Sequence, residues 1–176
     1  MTANDSATAK NTQLASGQKL AIGDTAPDFA LPAGAGATSI AAAKGQAVIV
    51  YFYPKDDTPG CTKEACGFQD NLPHFDSSHT LVIGVSRDDE ASHAKFSKKY
   101  SLTFPLAADT DGQICQAYGT WVEKSMYGKT YMGVERATFL INPDSKIAAI
   151  WRNVKVDGHV QEVLAKARQL RQADAA

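Results

Sequence analysis

The sequence is poor in the features that staple, anchor or charge a protein. It holds three cysteines in 176 residues, an odd number and too few for the disulfide framework of a small secreted domain. No apolar run is longer than Ala47–Tyr53, far short of the roughly 20 residues that a spanning helix needs. Neither sign of charge dominates: 18 Lys and Arg face 19 Asp and Glu, for a net charge of −1. That balance argues against the basic footprint of a nucleic-acid binder and the polybasic patch of a membrane-surface protein. The first twenty residues carry no apolar core and no arginine, so they match neither a secretory signal nor a mitochondrial presequence. We read residues 1–17 as a solvated, disordered tail and 18–176 as one domain. The expected compartment is the reducing cytoplasm, where a free thiol is buried or reactive rather than bridged.

What the chain does have is a set of short apolar segments between polar helices. Ala47–Tyr53 is apolar on both faces and rich in β-branched and aromatic residues, the pattern of a strand covered on both sides. Leu81–Val85 and Arg136–Ile141 read the same way, and Lys146–Trp151 returns after the Asn142-Pro143-Asp144-Ser145 turn as an antiparallel partner. Asp28–Leu31 reads as a short early strand, and Phe104–Leu106, with its proline, as a strand near a sheet edge. A helix opens at Cys61 and runs towards Ser77, with Pro73 kinking or ending it. Asp88-Asp89-Glu90 caps a second helix to Tyr100, and 111–118 forms a short third. Val160, Val163, Leu164, Ala167 and Leu170 define one apolar stripe on a terminal helix. The order is β-α-β-α-β-β-α, an α/β sandwich around one mixed sheet.

The chemistry concentrates between Tyr51 and Asp70. Cys61 follows a buried strand and a polar loop, Lys55–Gly60, and stands where a helix begins. Unpaired backbone N–H groups and the helix dipole put positive potential there, which favours a thiolate. An inert buried thiol is the plain alternative, but a loop of turn and polar residues is a poor place to bury one.

The run Phe52-Tyr53-Pro54-Lys55-Asp56-Asp57-Thr58-Pro59-Gly60-Cys61-Thr62-Lys63-Glu64-Ala65-Cys66 closely resembles the active-site signature of the peroxiredoxins. It is most similar to the peroxiredoxin Q, or bacterioferritin comigratory protein, branch. The resemblance continues through Val82–Ser86, Tyr118–Trp121, Tyr127–Lys129 and Arg136–Ile141. It implies a thioredoxin-like fold, a central mixed β-sheet flanked by helices, and a thiol peroxidase that uses no metal and no other cofactor. It also implies roles: Cys61 as the peroxidatic thiolate, Thr58 as the orienting hydroxyl, Pro54 as a shield against water, and Arg136 as the cation beside the sulfur. Thiolate content alone cannot account for such an activity. Full ionisation of an ordinary thiol gains only about 30-fold at neutral pH, so oriented donors around the O–O bond must supply the rest.

Members of this branch often use a cysteine five residues later as the resolving thiol, which places that role on Cys66. On a regular helix the two Cα atoms would lie roughly 8.6 Å apart, beyond the span of a disulfide, so the helix must unwind locally. Gly67 is expected to ease that unwinding. The implied partners are hydrogen peroxide and organic hydroperoxides as substrates and thioredoxin or a similar dithiol as reductant, with the protein acting as a monomer. Recycling of Cys61 by an external thiol, or a redox-sensing or holdase role on the same fold, are the alternatives. Cys115 reads as a bystander. Glu64 is either an exposed first-turn acid or a partner for Arg136 or another base. Trp121, Tyr127 and Met132 fall in a long loop approaching Arg136 and serve packing or contact with substrate or reductant. The four histidines share no spacing, and solvated surface is expected for each. Cys61, Cys66, His74 and His79 fit no tight zinc pattern.

Overall fold

The computed structural model describes residues 19–43 and 45–174; the tail read over 1–17 lies outside them. Five strands form one sheet, lying side by side in the order Leu106–Ala108, Thr80–Ser86, Ala47–Phe52, Ala137–Ile141 and Ile147–Trp151. The strands are β1 (Ala47–Phe52), β2 (Thr80–Ser86), β3 (Leu106–Ala108), β6 (Ala137–Ile141) and β7 (Ile147–Trp151). β1 is central, parallel to β2 and antiparallel to β6. β3 adds parallel to β2, and β7 adds antiparallel to β6, so the sheet is mixed.

Every residue of β1 is buried, because alternate side chains feed two separate cores. Val48, Val50 and Phe52 join the core on one face, while Ala47, Ile49, Tyr51 and Tyr53 join the other. The second core is closed by α1 (Pro59–Asp70), α2 (Leu72–Ser77), α3 (Glu90–Tyr100) and α5 (His159–Asp174). The apolar stripe read on the last helix supplies Val160, Val163, Leu164 and Ala167 to it, with Leu170 half-buried at its rim. The other face is covered by the segment from Leu20 to Ala43 and by α4 (Gln113–Ala117).

The proline in the first long helix ends it early. α1 stops at Asp70 and α2 restarts at Leu72 with Pro73 in its first turn, where the missing N–H costs nothing. Asp89 caps α3 as read, its side chain accepting from the Ser92 amide at 2.8 Å. Phe104–Leu106 becomes β3 two residues later, on the expected edge.

Two segments differ from the sequence reading. Asp28–Leu31 forms no strand, only an isolated bridge from Ala30 to Ser39. Pro32, which follows, has no N–H to extend the pairing. The stretch read as a long loop before Arg136 is a hairpin apart from the main sheet, β4 (Trp121–Met126) and β5 (Lys129–Val134). Its turn is Tyr127-Gly128, both with positive φ, at 51° and 76°. That is the backbone of a tight two-residue hairpin turn, with Tyr in the place that Asn or Asp usually takes.

Candidate active site

The parallel strand β1 ends at Phe52, and the chain passes through Tyr53–Thr58 into α1. Thr58 is the N-cap and Pro59 the first helical residue, so Cys61 is the third residue of the helix rather than its opening one. The first helical bond runs from the Thr62 amide to the Thr58 carbonyl at 2.8 Å. The Gly60 and Cys61 amides are therefore among the groups a helix start leaves unpaired within it. The thiol is 1% exposed and packs with Ala65, Phe68 and Tyr51 in the second core.

Arg136, immediately before β6, reaches over this first turn. One guanidinium nitrogen, Nη2, donates to the Cys61 sulfur at 3.2 Å, and Nη1 donates to Glu64 Oε1 at 2.8 Å. The reach depends on Gly60: a Cβ there would lie 3.2 Å from Arg136 Nη2. Burial opposes the Arg136 charge, but Glu64 and Cys61 outweigh it and raise its pKa further. Arg136 is thus a partly buried fork rather than a surface ion pair, the geometry in which an arginine is hardest to replace.

Glu64 is fully buried, which settles the two readings of it in favour of the partner for Arg136. Burial pushes its carboxyl up to about 7 although Arg136 pulls the other way. Its second oxygen, Oε2, has no hydrogen-bond partner among the described residues. A carboxyl so placed divides the Arg136 charge with the sulfur when ionised and releases it when protonated.

The other sequence candidates are placed less directly. The Thr58 hydroxyl donates to the Lys55 carbonyl at 2.9 Å, and Pro54 lies exposed where the loop begins. Cys66 is half-buried on the same regular helix as Cys61, and all three cysteines are free thiols. Burial and then Asp70 hold its thiol above the ordinary value. Gly67, beside it, has a packing role as well. A Cβ there would meet Val160 Cγ2 at 3.1 Å, so the glycine lets α1 close on α5.

Sequence reasoning missed several residues. Lys124 on the hairpin is half-buried; burial and then the Arg136 charge lower its pKa, opposed by Cys61 and Glu135. Two histidines expected on the surface are buried, His93 and His159. His159 shares a 2.7 Å hydrogen bond with the Thr138 hydroxyl and stacks edge-on to Phe68 and Trp151. Burial and then Arg136 push its pKa down to about 4, so it is a neutral packing residue. His93 pairs with Asp56. No group of metal-ligating side chains occurs among the described residues, and no helix among them is long and apolar enough to cross a membrane.

Against known proteins, residues 22–150 match the model of the AhpC/TSA family. The peroxiredoxin Bcp of Bacillus subtilis is 44% identical over 144 residues, covering 81% of this chain and 92% of its own. Among solved structures, the bacterioferritin comigratory protein of Xanthomonas campestris, described for alkyl peroxide reduction, superimposes with a TM-score of 0.73. It is 41% identical over 81% of this chain and 98% of its own. A Cys-to-Ser variant of the Xylella fastidiosa peroxiredoxin Q gives 0.77, with 40% identity, over 91% of this chain and all of its own. With the mixed sheet flanked by helices, these matches show that the chain belongs to the AhpC/TSA family as a thioredoxin-fold, thiol-dependent peroxidase of the peroxiredoxin Q branch.

Proposed function

We propose that Cys61 is the thiolate that attacks the peroxide and that Cys66 resolves the product. The observation that carries this reading is the Arg136 guanidinium, shared between the Cys61 sulfur at 3.2 Å and Glu64 at 2.8 Å. The thiolate attacks the terminal oxygen of ROOH, the O–O bond breaks, and Cys61 becomes a sulfenic acid while RO⁻ leaves and takes a proton. Arg136 holds the negative charge as it moves from sulfur to oxygen. The Thr58 hydroxyl leaves the Lys55 carbonyl to orient the peroxide, donating and accepting at one atom. Pro54, without an N–H, shields the thiolate from water.

Cys66 then attacks the sulfenic sulfur, expelling water and leaving an intramolecular disulfide. Both cysteines lie on α1, so this step needs the helix to unwind and Gly67 to part from Val160. A dithiol such as thioredoxin reduces the disulfide and restores both thiols. Hydrogen peroxide and organic hydroperoxides are the proposed substrates, by likeness to the Xanthomonas protein and its alkyl peroxide activity. The proposed setting is a monomer in the cytoplasm, where a dithiol reductant is maintained.

One observation favours a second reading. The close packing at Gly67 resists unwinding, which would leave the sulfenic acid for an external thiol. Peroxide consumption by Cys66→Ser separates the two. The two-cysteine cycle predicts that thioredoxin-driven turnover is lost while a single turnover of Cys61 survives. Undiminished thioredoxin-driven turnover in that variant would show that Cys66 does not resolve.

A further inference from the structure

A second cluster of buried polar side chains lies on the other side of the Tyr53–Thr58 loop, and the peroxidase steps above make no use of it. Asp56, 7% exposed, and His93, 4% exposed, meet at 2.7 Å through Asp56 Oδ2 and His93 Nδ1. The same Asp56 oxygen accepts from the Ser92 hydroxyl at 2.8 Å, and Asp56 Oδ1 accepts from the Tyr53 hydroxyl at 2.6 Å. On the far side of the ring, His93 Nε2 lies 3.0 Å from the Ala107 carbonyl of β3.

These partners fit a ring protonated at both nitrogens. A carbonyl oxygen only accepts, so Nε2 carries a hydrogen. Both Asp56 oxygens already accept hydroxyl hydrogens, and Nδ1 is the remaining donor to Oδ2. An imidazolium against a carboxylate satisfies every one of these contacts. Tyr53 keeps its proton, because burial and then Tyr51 and Asp56 raise its pKa far out of range. Asp88 is the other charged group facing the ring; its Oδ2 accepts from the Asp56 amide at 2.8 Å and the Ser86 hydroxyl at 2.7 Å. Burial works against the His93 charge, and Asp56, Ala107 and Asp88 outweigh it.

The cluster holds one thing above all, the loop. Asp56 stands midway between Pro54 and Thr58. The next residue, Asp57, has a left-handed φ of 58°, which an aspartate adopts as a single residue when its side chain is hydrogen-bonded. Its carboxylate accepts from Lys99 Nζ at 2.8 Å and the Tyr100 hydroxyl at 2.7 Å. Two successive aspartates are thus gripped by the two ends of α3, Asp56 at Ser92 and His93 and Asp57 at Lys99 and Tyr100. A buried ion pair is an expensive way to hold chain together where apolar packing would serve. What it supplies is a fixed direction.

We propose that His93, doubly protonated and paired with Asp56, is a positioning residue for the peroxidase reaction. It sets the loop that delivers Thr58 to the first turn of α1, and the reaction of Cys61 with peroxide weakens when His93 loses its proton. The inference rests on the reading of Cys61 and Thr58 given above.

The test compares two reagents on the same sulfur. Peroxide needs the oriented loop; iodoacetamide needs only the thiolate. In His93→Gln the single-turnover rate with hydrogen peroxide is expected to fall about 10- to 100-fold, the range for a small misplacement of a positioning group. Alkylation of Cys61 should stay within about twofold. Equal changes in both rates, or none, would overturn the proposal. The wild-type protein supplies the same test without mutation. Nitrogen-15 NMR should find both His93 ring nitrogens protonated at neutral pH, and the peroxide-to-iodoacetamide rate ratio should fall through the His93 midpoint. One protonated nitrogen at neutral pH, or a flat ratio, would also overturn it. Peroxide reactivity surviving in Cys61→Ser would instead overturn the underlying reading of the site, and the proposal with it.

Discussion

Two cysteines of this chain occupy the same position in their helices. Cys61 is the third residue of α1 after its cap Thr58, and Cys115 the third of α4 after its cap Gly112. Both are buried, at 1% and 0% exposure. What differs is the charge beside them. At α1 the guanidinium of Arg136 donates to the sulfur. At α4 the carboxylate of Asp109 has already taken the helix start, accepting from the Ile114 and Cys115 amides at 3.0 and 2.8 Å. Burial and then Asp109 push the Cys115 thiol up to about 12. The two helix starts thus present their sulfurs with opposite neighbours, a cation at Cys61 and an anion at Cys115.

The sharpest way to break this comparison is to remove each sulfur in turn. Cys61→Ser is expected to abolish peroxide consumption, whereas Cys115→Ser should stay within about twofold, as a small packing change. A coupled peroxidase assay on the two variants decides it. The next largest effect is on the cation. Arg136→Met keeps most of the side-chain length and removes the donors, and should lower the second-order rate with peroxide about 10²- to 10³-fold. Stopped-flow fluorescence measures it; a loss below tenfold would leave the thiol itself as the source of reactivity.

A smaller effect tests the space rather than the charge. Gly60→Ala puts a methyl 3.2 Å from Arg136 Nη2, and should lower the same rate about tenfold by shifting the guanidinium. Stability should hardly change, because alanine is at least as good as glycine inside a helix. The smallest effect concerns pH. Glu64 has its carboxyl raised from 4.5 to about 7 by burial, so the folded state favours its protonated form. Its contribution to stability is therefore greatest below pH 4.5 and is lost as pH rises through about 7. Glu64→Gln should flatten that part of the melting-temperature profile. An unchanged profile would place the titrating group elsewhere.

How much of this was legible in the sequence depends on how far apart the partners are. The strands β1, β2 and β6 were readable because they are apolar on both faces, and each proves to feed two cores. The signature from Pro54 to Cys66 stands in one short run, and it led to Arg136 through the family resemblance. The hairpin before Arg136 was missed because its turn is Tyr127-Gly128, and a tyrosine at positive φ announces nothing. His93 was missed because Asp56 lies 37 residues away, a pairing that only the topology of β1, α3 and β3 creates. The packing role of Gly67 was missed because its neighbour Val160 lies far along the chain, on α5. Local chemistry is visible in a sequence where it is contiguous; charge placed by the fold is not.

The most direct test of the account is to map the cysteines after one equivalent of hydrogen peroxide, by intact mass and non-reducing peptide analysis. The account predicts a loss of about two mass units and a single Cys61–Cys66 crosslink, with Cys115 still free to alkylate. An unmodified Cys61, or a crosslink through Cys115, would contradict it.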